Sequence, residues 1–372
     1  MTVKVYYAKG LRIRFRSDDF TILLDPSGRA KTTKADLVLV SHGHSDHVSG
    51  LPSTPSNAAV YTSPITKEVL MVSGIGKRVG SYRMRTIQPG QEVVVGNVAI
   101  RAYDAGHIMG SVLFEVERVG FKIAYTGDFN YEASITAGQA EEVDRPDVLV
   151  MESTYGYESY NFPSRDKMYQ EIASWIEGNV ERGCTTILTG FALGKSQELT
   201  AIASQVKAAP IVVDEQVAQY NQIFDRKKFK LGNYISFRSP RAYKLIKEGV
   251  PLVLVMPSLK LFKHVKEALS KSLKLRTPAK IALFSGWVAN KKVYYALKRK
   301  YGLDALFPLS NHSDFDALLE YVENVRPKKV YTVFGMKKAL AKAIKRKLGI
   351  PAREVTDPRQ RTLYKWFARS AN

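Results

Sequence analysis

The chain has 372 residues, 45% of them hydrophobic, enough to bury a sizeable core and, by length, to form two domains. A single cysteine, Cys184, excludes an intramolecular disulfide framework and a thiolate-rich metal site. No apolar run approaches the ~18 residues that span a bilayer, and the N-terminus lacks signal-peptide character, so the expectation is a soluble cytoplasmic protein with no membrane partner. Lysine and arginine total 56 against 35 acidic residues, a formal charge of +21. Such an excess attracts polyanions through counterion release from phosphates, although a solvated basic surface has the same composition.

In chain order, short β-rich segments separated by Gly/Pro turns predict strands at 3–7, 11–16, 21–24, 37–40, 98–103, 112–116, 122–125 and 148–151. Helical periodicity begins at 164–181, where Met168, Ile172, Trp175 and Ile176 recur on one face. From there the pattern is α/β: strand 185–188, helix 195–206, strand 211–213, strand 252–255 and helix 258–271. The C-terminal part repeats it with helix 315–325, strand 329–333 and helix 337–348. Charge is uneven, with 23 basic and 7 acidic residues between Glu181 and Leu303. Within that stretch Arg226-Lys227-Lys228-Phe229-Lys230 interleaves an aromatic ring with cations, as single-strand binders do.

The densest chemical signal is Ser41-His42-Gly43-His44-Ser45-Asp46-His47, directly after strand 37–40. Side chains at i and i+2 of an extended chain point the same way, so His42 and His44 can grip one ion. Asp46 and His47 fall where the chain turns toward a helix and can grip a second. Neutral imidazole with carboxylate suits zinc, with manganese as an alternative. His107, Asp128 and His312 each follow an apolar strand, where loops at one sheet edge converge. Five of the six histidines belong to this set; His264 lies on a Lys-rich helical stretch. Gly190-Phe191-Ala192-Leu193-Gly194-Lys195-Ser196 has three residues between its glycines where a P-loop needs four, which excludes an ATPase reading. The same turn can still present backbone N–H groups, Lys195 and Ser196 to a phosphate.

The order H-x-H-x-D-H, then His, Asp and His, resembles the metallo-β-lactamase superfamily. That resemblance implies one ion on His42, His44 and His107, a second on Asp46, His47 and His312, and Asp128 bridging both. It implies two Zn2+ (Mn2+ or Mg2+ as alternatives), catalytic roles for Asp46, Asp128, Glu152 and His312, and Asp25 orienting the ligand loop. Within the superfamily, Met151-Glu152-Ser153-Thr154-Tyr155-Gly156, Phe191 through Leu199 and Ser310 through Asp314 resemble the β-CASP nucleases. The implied fold class is α/β, an αβ/βα sandwich from residues 1–180 and 304–372 with a basic cap at 181–303. The expected substrate-binding residues are Lys195, Ser196, Arg226, Lys227, Lys228 and Lys230. Glu152 is expected to orient His312.

Phe334 stands where RNA-processing members of that group place a histidine. Tyr160-Asn161-Phe162-Pro163-Ser164 and Ser285-Gly286-Trp287 look like the DNA crosslink-repair and Artemis-like branch, and ligase-associated exonucleases are similar. The implied function is a two-metal nuclease, a 5′-directed DNA exonuclease in DNA repair. The alternatives are an RNA-processing nuclease of the messenger 3′-end-processing or ribonuclease J type, and a non-catalytic nucleic-acid-binding subunit. The expected partner is nucleic acid, DNA over RNA; a homodimer is left open.

Overall fold

The computed structural model describes residues 2–8, 10–27, 34–258 and 273–356. All of the expected helix 258–271 beyond Ser258, His264 included, lies outside the described residues. The chain divides into two compact units. The first comprises the described residues of Met1–Ala133, Ala137–Glu158 and His312–Thr362; the second contains Ser134–Thr136 and the described residues of Ser159–Asn311.

In the first unit, period-2 alternation builds two sheets that share one core. One sheet has six strands in the order Val3–Tyr7, Leu11–Phe15, Thr21–Leu24, Leu37–Leu39, Ala59–Thr62, Met84–Thr86. The other has seven, ordered Ala352–Glu354, Val330–Val333, Val148–Glu152, Phe121–Tyr125, Val112–Arg118, Val98–Asp104, Glu92–Val95. Ile22 and Leu24 face inward onto a core that also holds Ile100, Phe114, Ile123 and Val150. Leu23, one residue out of phase, packs outward with Val38, Val60, Leu70 and Ile75. Leu149 and Met151 pack outward in the same way, against Leu318 and Val322 of helix Phe315–Val325 and Leu340 and Ile344 of helix Lys337–Leu348. Both faces of the central strands are therefore covered, which is why TILL, LVL and VLVME are nearly continuous apolar runs. This is the αβ/βα arrangement.

The second unit holds a six-stranded, all-parallel sheet ordered Ile235–Ser236, Ile211–Val213, Val253–Pro257, Thr185–Gly190, Ala279–Phe284, Ala305–Phe307. The expected division at 180/181 and 303/304 differs from the observed one at 158/159 and 311/312. Helix Arg165–Glu181 sends Met168, Ile172 and Ile176 into the core under this sheet, with Leu188, Leu199 and Val255, and Ala305–Phe307 is its edge strand. Tyr160 packs edge-on against Trp287, with ring centroids 5.5 Å apart. No described helix is long and apolar enough to cross a membrane.

Strand direction sets where chemistry gathers in the first unit. Thr21–Leu24 runs parallel to Leu37–Leu39, and Phe121–Tyr125 runs parallel to Val148–Glu152. Val98–Asp104 and Phe121–Tyr125 both run antiparallel to Val112–Arg118, so they point the same way as each other. Asp25, His42, His107, Asp128 and Glu152 all lie at the C-terminal ends of such strands.

Candidate metal centre

Asp25 closes strand Thr21–Leu24 with a φ of +40°, a left-handed conformation that non-glycine residues adopt rarely. Its buried carboxylate is a hub for hydrogen bonds. The Ser41 N–H (2.7 Å) and Ser41 Oγ–H (2.6 Å) donate to it from the ligand loop. The Tyr125 hydroxyl donates at 2.7 Å and His47 Nδ1 at 2.9 Å. Asp25 thus ties the start of the histidine loop to its end. With Nδ1 of His47 committed to Asp25, its Nε2 faces inward, 3.1 Å from Asp128 Oδ2.

His42 and His44, two residues apart on extended backbone, bring Nε2 of one within 3.0 Å of Nδ1 of the other. His47 follows on the short helix Ser45–Val48. His107 arrives through the turn at Gly106, where φ is +67° and an added Cβ would stand 2.3 Å from the Asn130 carbonyl oxygen. Its Nε2 lies 3.1 Å from His44 Nδ1. Asp128 is delivered by a similar turn at Gly127, where an added Cβ would meet Ser41 at 2.5 Å. Glycine is required at both places by backbone conformation and by space.

Asp128 Oδ2 is the common point. It lies 3.6 Å from Nε2 of His42, 3.1 Å from that of His47, and 3.9 Å from those of His107 and His312. Ligands of a tetrahedral ion, each at 2.0–2.1 Å, stand roughly 3.4 Å from one another. The observed spacings match that separation, and the donors are the imidazole and carboxylate atoms that zinc and manganese accept. Among the described residues, three groups of donors lie within 4.8 Å of one another: His42, His44, His107 and Asp128; Asp25, His42 and His47; Asp128, Glu152 and His312.

Glu152, fully buried at the end of strand Val148–Glu152, accepts the N–H groups of Phe129 (2.9 Å) and Thr154 (3.2 Å). Its Oε1 also accepts from His312 Nδ1 at 2.8 Å, which turns Nε2 of His312 toward Asp128. Asp46 stands apart: its side chain is 70% exposed, with Oδ2 3.9 Å from His47 Nε2. The ring of Phe334 packs edge-on against His47, centroids 5.4 Å apart, and Phe334 itself holds a φ of +58°.

Burial and charge pull these groups apart in acidity. Burial drives His42 well below the ordinary imidazole range, and the neighbouring histidines add to the effect. Burial acts the same way on His47 and His312 but is outweighed. Asp128, Asp46 and Asp25 hold His47 well above its usual value, and Glu152 with Asp128 pushes His312 up to about 9. Despite its burial, Asp128 is held well below the carboxylate range, chiefly by His47 and His312. The pocket therefore demands positive charge around one buried carboxylate, and a cation meets that demand.

The residues expected to touch substrate belong to the second unit. Lys195 is 3% exposed, its Nζ 2.8 Å from Glu198 Oε2, and Ser196 Oγ donates to the Phe191 carbonyl at 2.8 Å. Arg226, Lys227, Lys228 and Lys230 are exposed at and just beyond the C-terminal end of helix Glu215–Arg226. Sequence pattern alone did not single out Tyr125, although it ends the strand leading to Asp128. Nor did it single out Arg165, Glu198 and Asn311, whose roles depend on residues distant in the chain.

Residues 15–166 match the family model of the beta-lactamase superfamily domain. The chain is 24% identical to an RNase J-like protein of Methanocaldococcus jannaschii, covering 81% of each. It is 28% identical to RNase aCSPSF2 of Saccharolobus solfataricus, over 84% of this chain and 72% of that one. It is also 27% identical to a protein of Opitutus terrae named "Probable DNA ligase", over 86% of this chain but only 29% of that one. The chain thus spans less than a third of the ligase-named relative and about three quarters or more of the two RNase-named ones.

Proposed function

We propose that the chain, whose residues 15–166 match the beta-lactamase superfamily domain, is a metal-dependent nuclease of the β-CASP type that hydrolyses phosphodiester bonds in nucleic acid. The observation that carries this reading is one carboxylate oxygen, Asp128 Oδ2, within 3.9 Å of four imidazole Nε2 atoms. His42, His44 and His107 would hold one ion, Asp46, His47 and His312 the other, with Asp128 shared. Bound there, such ions acidify water and offset the charge of a scissile phosphate. The protein's own part is orientation. Asp25 keeps the proton on Nδ1 of His47 and Glu152 keeps it on Nδ1 of His312, which leaves each Nε2 as the donor atom.

The finer reading is a 5′-directed exonuclease acting on DNA. Phe334 supports it: a ring without hydrogen-bonding atoms covers His47 where the RNA-processing nucleases place a histidine. The ligase-named relative agrees with a DNA substrate. A second reading, cleavage of RNA, is supported by the two RNase-named relatives, which match over more of their own length.

The test is purified full-length protein with Mn2+ or Zn2+ and matched, end-labelled DNA and RNA strands, single and double, with 5′-phosphate or 5′-hydroxyl ends. Metal-dependent cleavage, faster on DNA and on 5′-phosphorylated ends, is expected. Faster cleavage of RNA would replace the DNA reading with the second one. Cutting of circular strands would remove the end-directed mechanism, and no cleavage of any strand would remove the nuclease reading.

A further inference from the structure

Asp25 reaches further into the centre than His47. Its Oδ2 takes three donors, the Ser41 hydroxyl at 2.6 Å, the Tyr125 hydroxyl at 2.7 Å and His47 Nδ1 at 2.9 Å, while its Oδ1 takes the Ser41 N–H. Both hydroxyl distances fall in the range of roughly 2.5–2.7 Å that belongs to an ionised acceptor. Ser41 is itself fully buried, and its Oγ has a second neighbour, His42 Nδ1, at 2.9 Å. Asp25, Ser41, His42, His47 and Tyr125 all belong to the first unit.

Counting protons fixes the direction of each bond. A serine hydroxyl has one proton and a carboxylate has none to give, so the Ser41 proton points at Asp25. Oγ then presents only lone pairs to His42. A hydrogen bond there requires the proton of the neutral imidazole to sit on Nδ1. The opposite tautomer would set two lone pairs face to face in a pocket without water to separate them, the costly case of an unmade buried hydrogen bond. With the proton on Nδ1, Nε2 of His42 is bare, 3.6 Å from Asp128 Oδ2.

We infer that Ser41 is a positioning residue for His42, its hydroxyl carrying the hold of Asp25 to the imidazole, so that one acid fixes a ligand atom at each of the two ions, directly at His47 and through Ser41 at His42. This rests on the proposed reading of both histidines as metal ligands. The Ser41 backbone is held separately, by its N–H on Asp25 Oδ1 and by its carbonyl, which accepts the Val112 N–H at 2.9 Å. Ser41→Ala therefore removes the hydroxyl and leaves the loop anchored. Tyr125→Phe removes a donor from the same Asp25 oxygen and leaves the bond from Ser41 to His42 in place.

The experiment titrates Mn2+ into the full chain and follows the free ion by electron paramagnetic resonance, with circular dichroism and thermal unfolding alongside. Wild type is expected to take up two ions, one of which His44→Ala weakens. Ser41→Ala is expected to weaken that same ion by about 10–100-fold, the size of effect seen when a group supporting a ligand is removed, with far less change in the other. Tyr125→Phe is expected to leave the His44-dependent ion at its wild-type affinity. A folded Ser41→Ala with both affinities intact would overturn the inference. So would equal weakening of both ions, or an equal effect of Tyr125→Phe on the His44-dependent ion, since either marks a general support of Asp25. Where Ser41→Ala does not fold, the wild type decides: imidazole nitrogen NMR of the zinc-loaded chain, with the His42 ring assigned, is expected to find its proton on Nδ1, and a bare Nδ1 there overturns the inference. A wild-type chain that binds no Mn2+, or a His44→Ala that moves neither affinity, would overturn the metal reading and this inference with it.

Discussion

Asp128 occupies a place that no other carboxylate shares among the described residues of the first unit. Its Oδ2 faces four imidazoles, and both proposed ions depend on it. Asp128→Ala is expected to bring metal content below one ion per chain and to abolish cleavage while the far-ultraviolet circular dichroism is kept. Elemental analysis after zinc saturation checks this; retention of two ions would show that Asp128 is no bridge. The histidines were legible in the sequence because four ligand-type residues fall within six positions, so spacing on one strand and one turn already implies convergence. Tyr125 and Glu198 were not. The first is one aromatic residue in an apolar strand until Asp25 is seen 2.7 Å from its hydroxyl. The second is one acid on an amphipathic helix until Arg165 and Asn311 arrive from distant segments. Lys195 is a different case. It follows a glycine turn, which invited a phosphate-binding role, yet its ammonium is committed to Glu198. Burial lowers Lys195 to about 8 against the pull of that pair, while Glu198, despite its own burial, is drawn down to about 2 by two cations.

Among the elements, alternation explains what could be read and what could not. Strands such as Thr21–Leu24 and Val148–Glu152 are buried on both faces and announce themselves as apolar runs. Glu92–Val95 and Met84–Thr86 lie at sheet edges, are short and largely exposed, and carry no such signal. Helix Arg165–Glu181 was recognisable by its period, but its period does not say which sheet it covers, and that moved the boundary between the units. Helix Lys291–Tyr301 has a defined start: Asn290 Oδ1 accepts the N–H groups of Lys292 (3.0 Å) and Val293 (3.3 Å). Those are two of the donors a helix leaves unpaired at its first turn. Asn290→Ala is expected to cost ~1 kcal/mol, the usual penalty for removing such a cap. Urea unfolding measures it. An unchanged midpoint would mean that the helix start is held by the packing of Val293 and Leu297 alone.

For the whole molecule, the charge of +21 becomes a statement about salt. Each cation withdrawn from a phosphate lowers the slope of log binding constant against log salt by roughly one unit. Replacing Arg226, Lys227, Lys228 and Lys230 together by glutamine is expected to flatten the slope for a single-stranded oligonucleotide, with little change in overall stability because all four are exposed. Fluorescence-anisotropy titrations between low and moderate salt read the slope. An unaltered slope would assign this cluster to plain solvation and direct attention to the cations of helix Lys291–Tyr301.

Strand Val148–Glu152 pairs on one side with Phe121–Tyr125, a near neighbour in the chain, and on the other with Val330–Val333, far downstream. Nearly all of the second unit is threaded between Val148–Glu152 and that distant partner. Closing so long a loop is thermodynamically mild, since each doubling of its length adds only about 0.6 kcal/mol. In time it is not mild, because long-range pairing is what slows folding. During synthesis, Glu152 is made with two of the seven strands of its sheet still missing and waits for the ribosome to release both His312 and the strand that pairs with its open side. The centre is thus among the last parts of the nascent chain to assemble, and a polypeptide released early carries its histidine loop on a sheet with one raw, adhesive border.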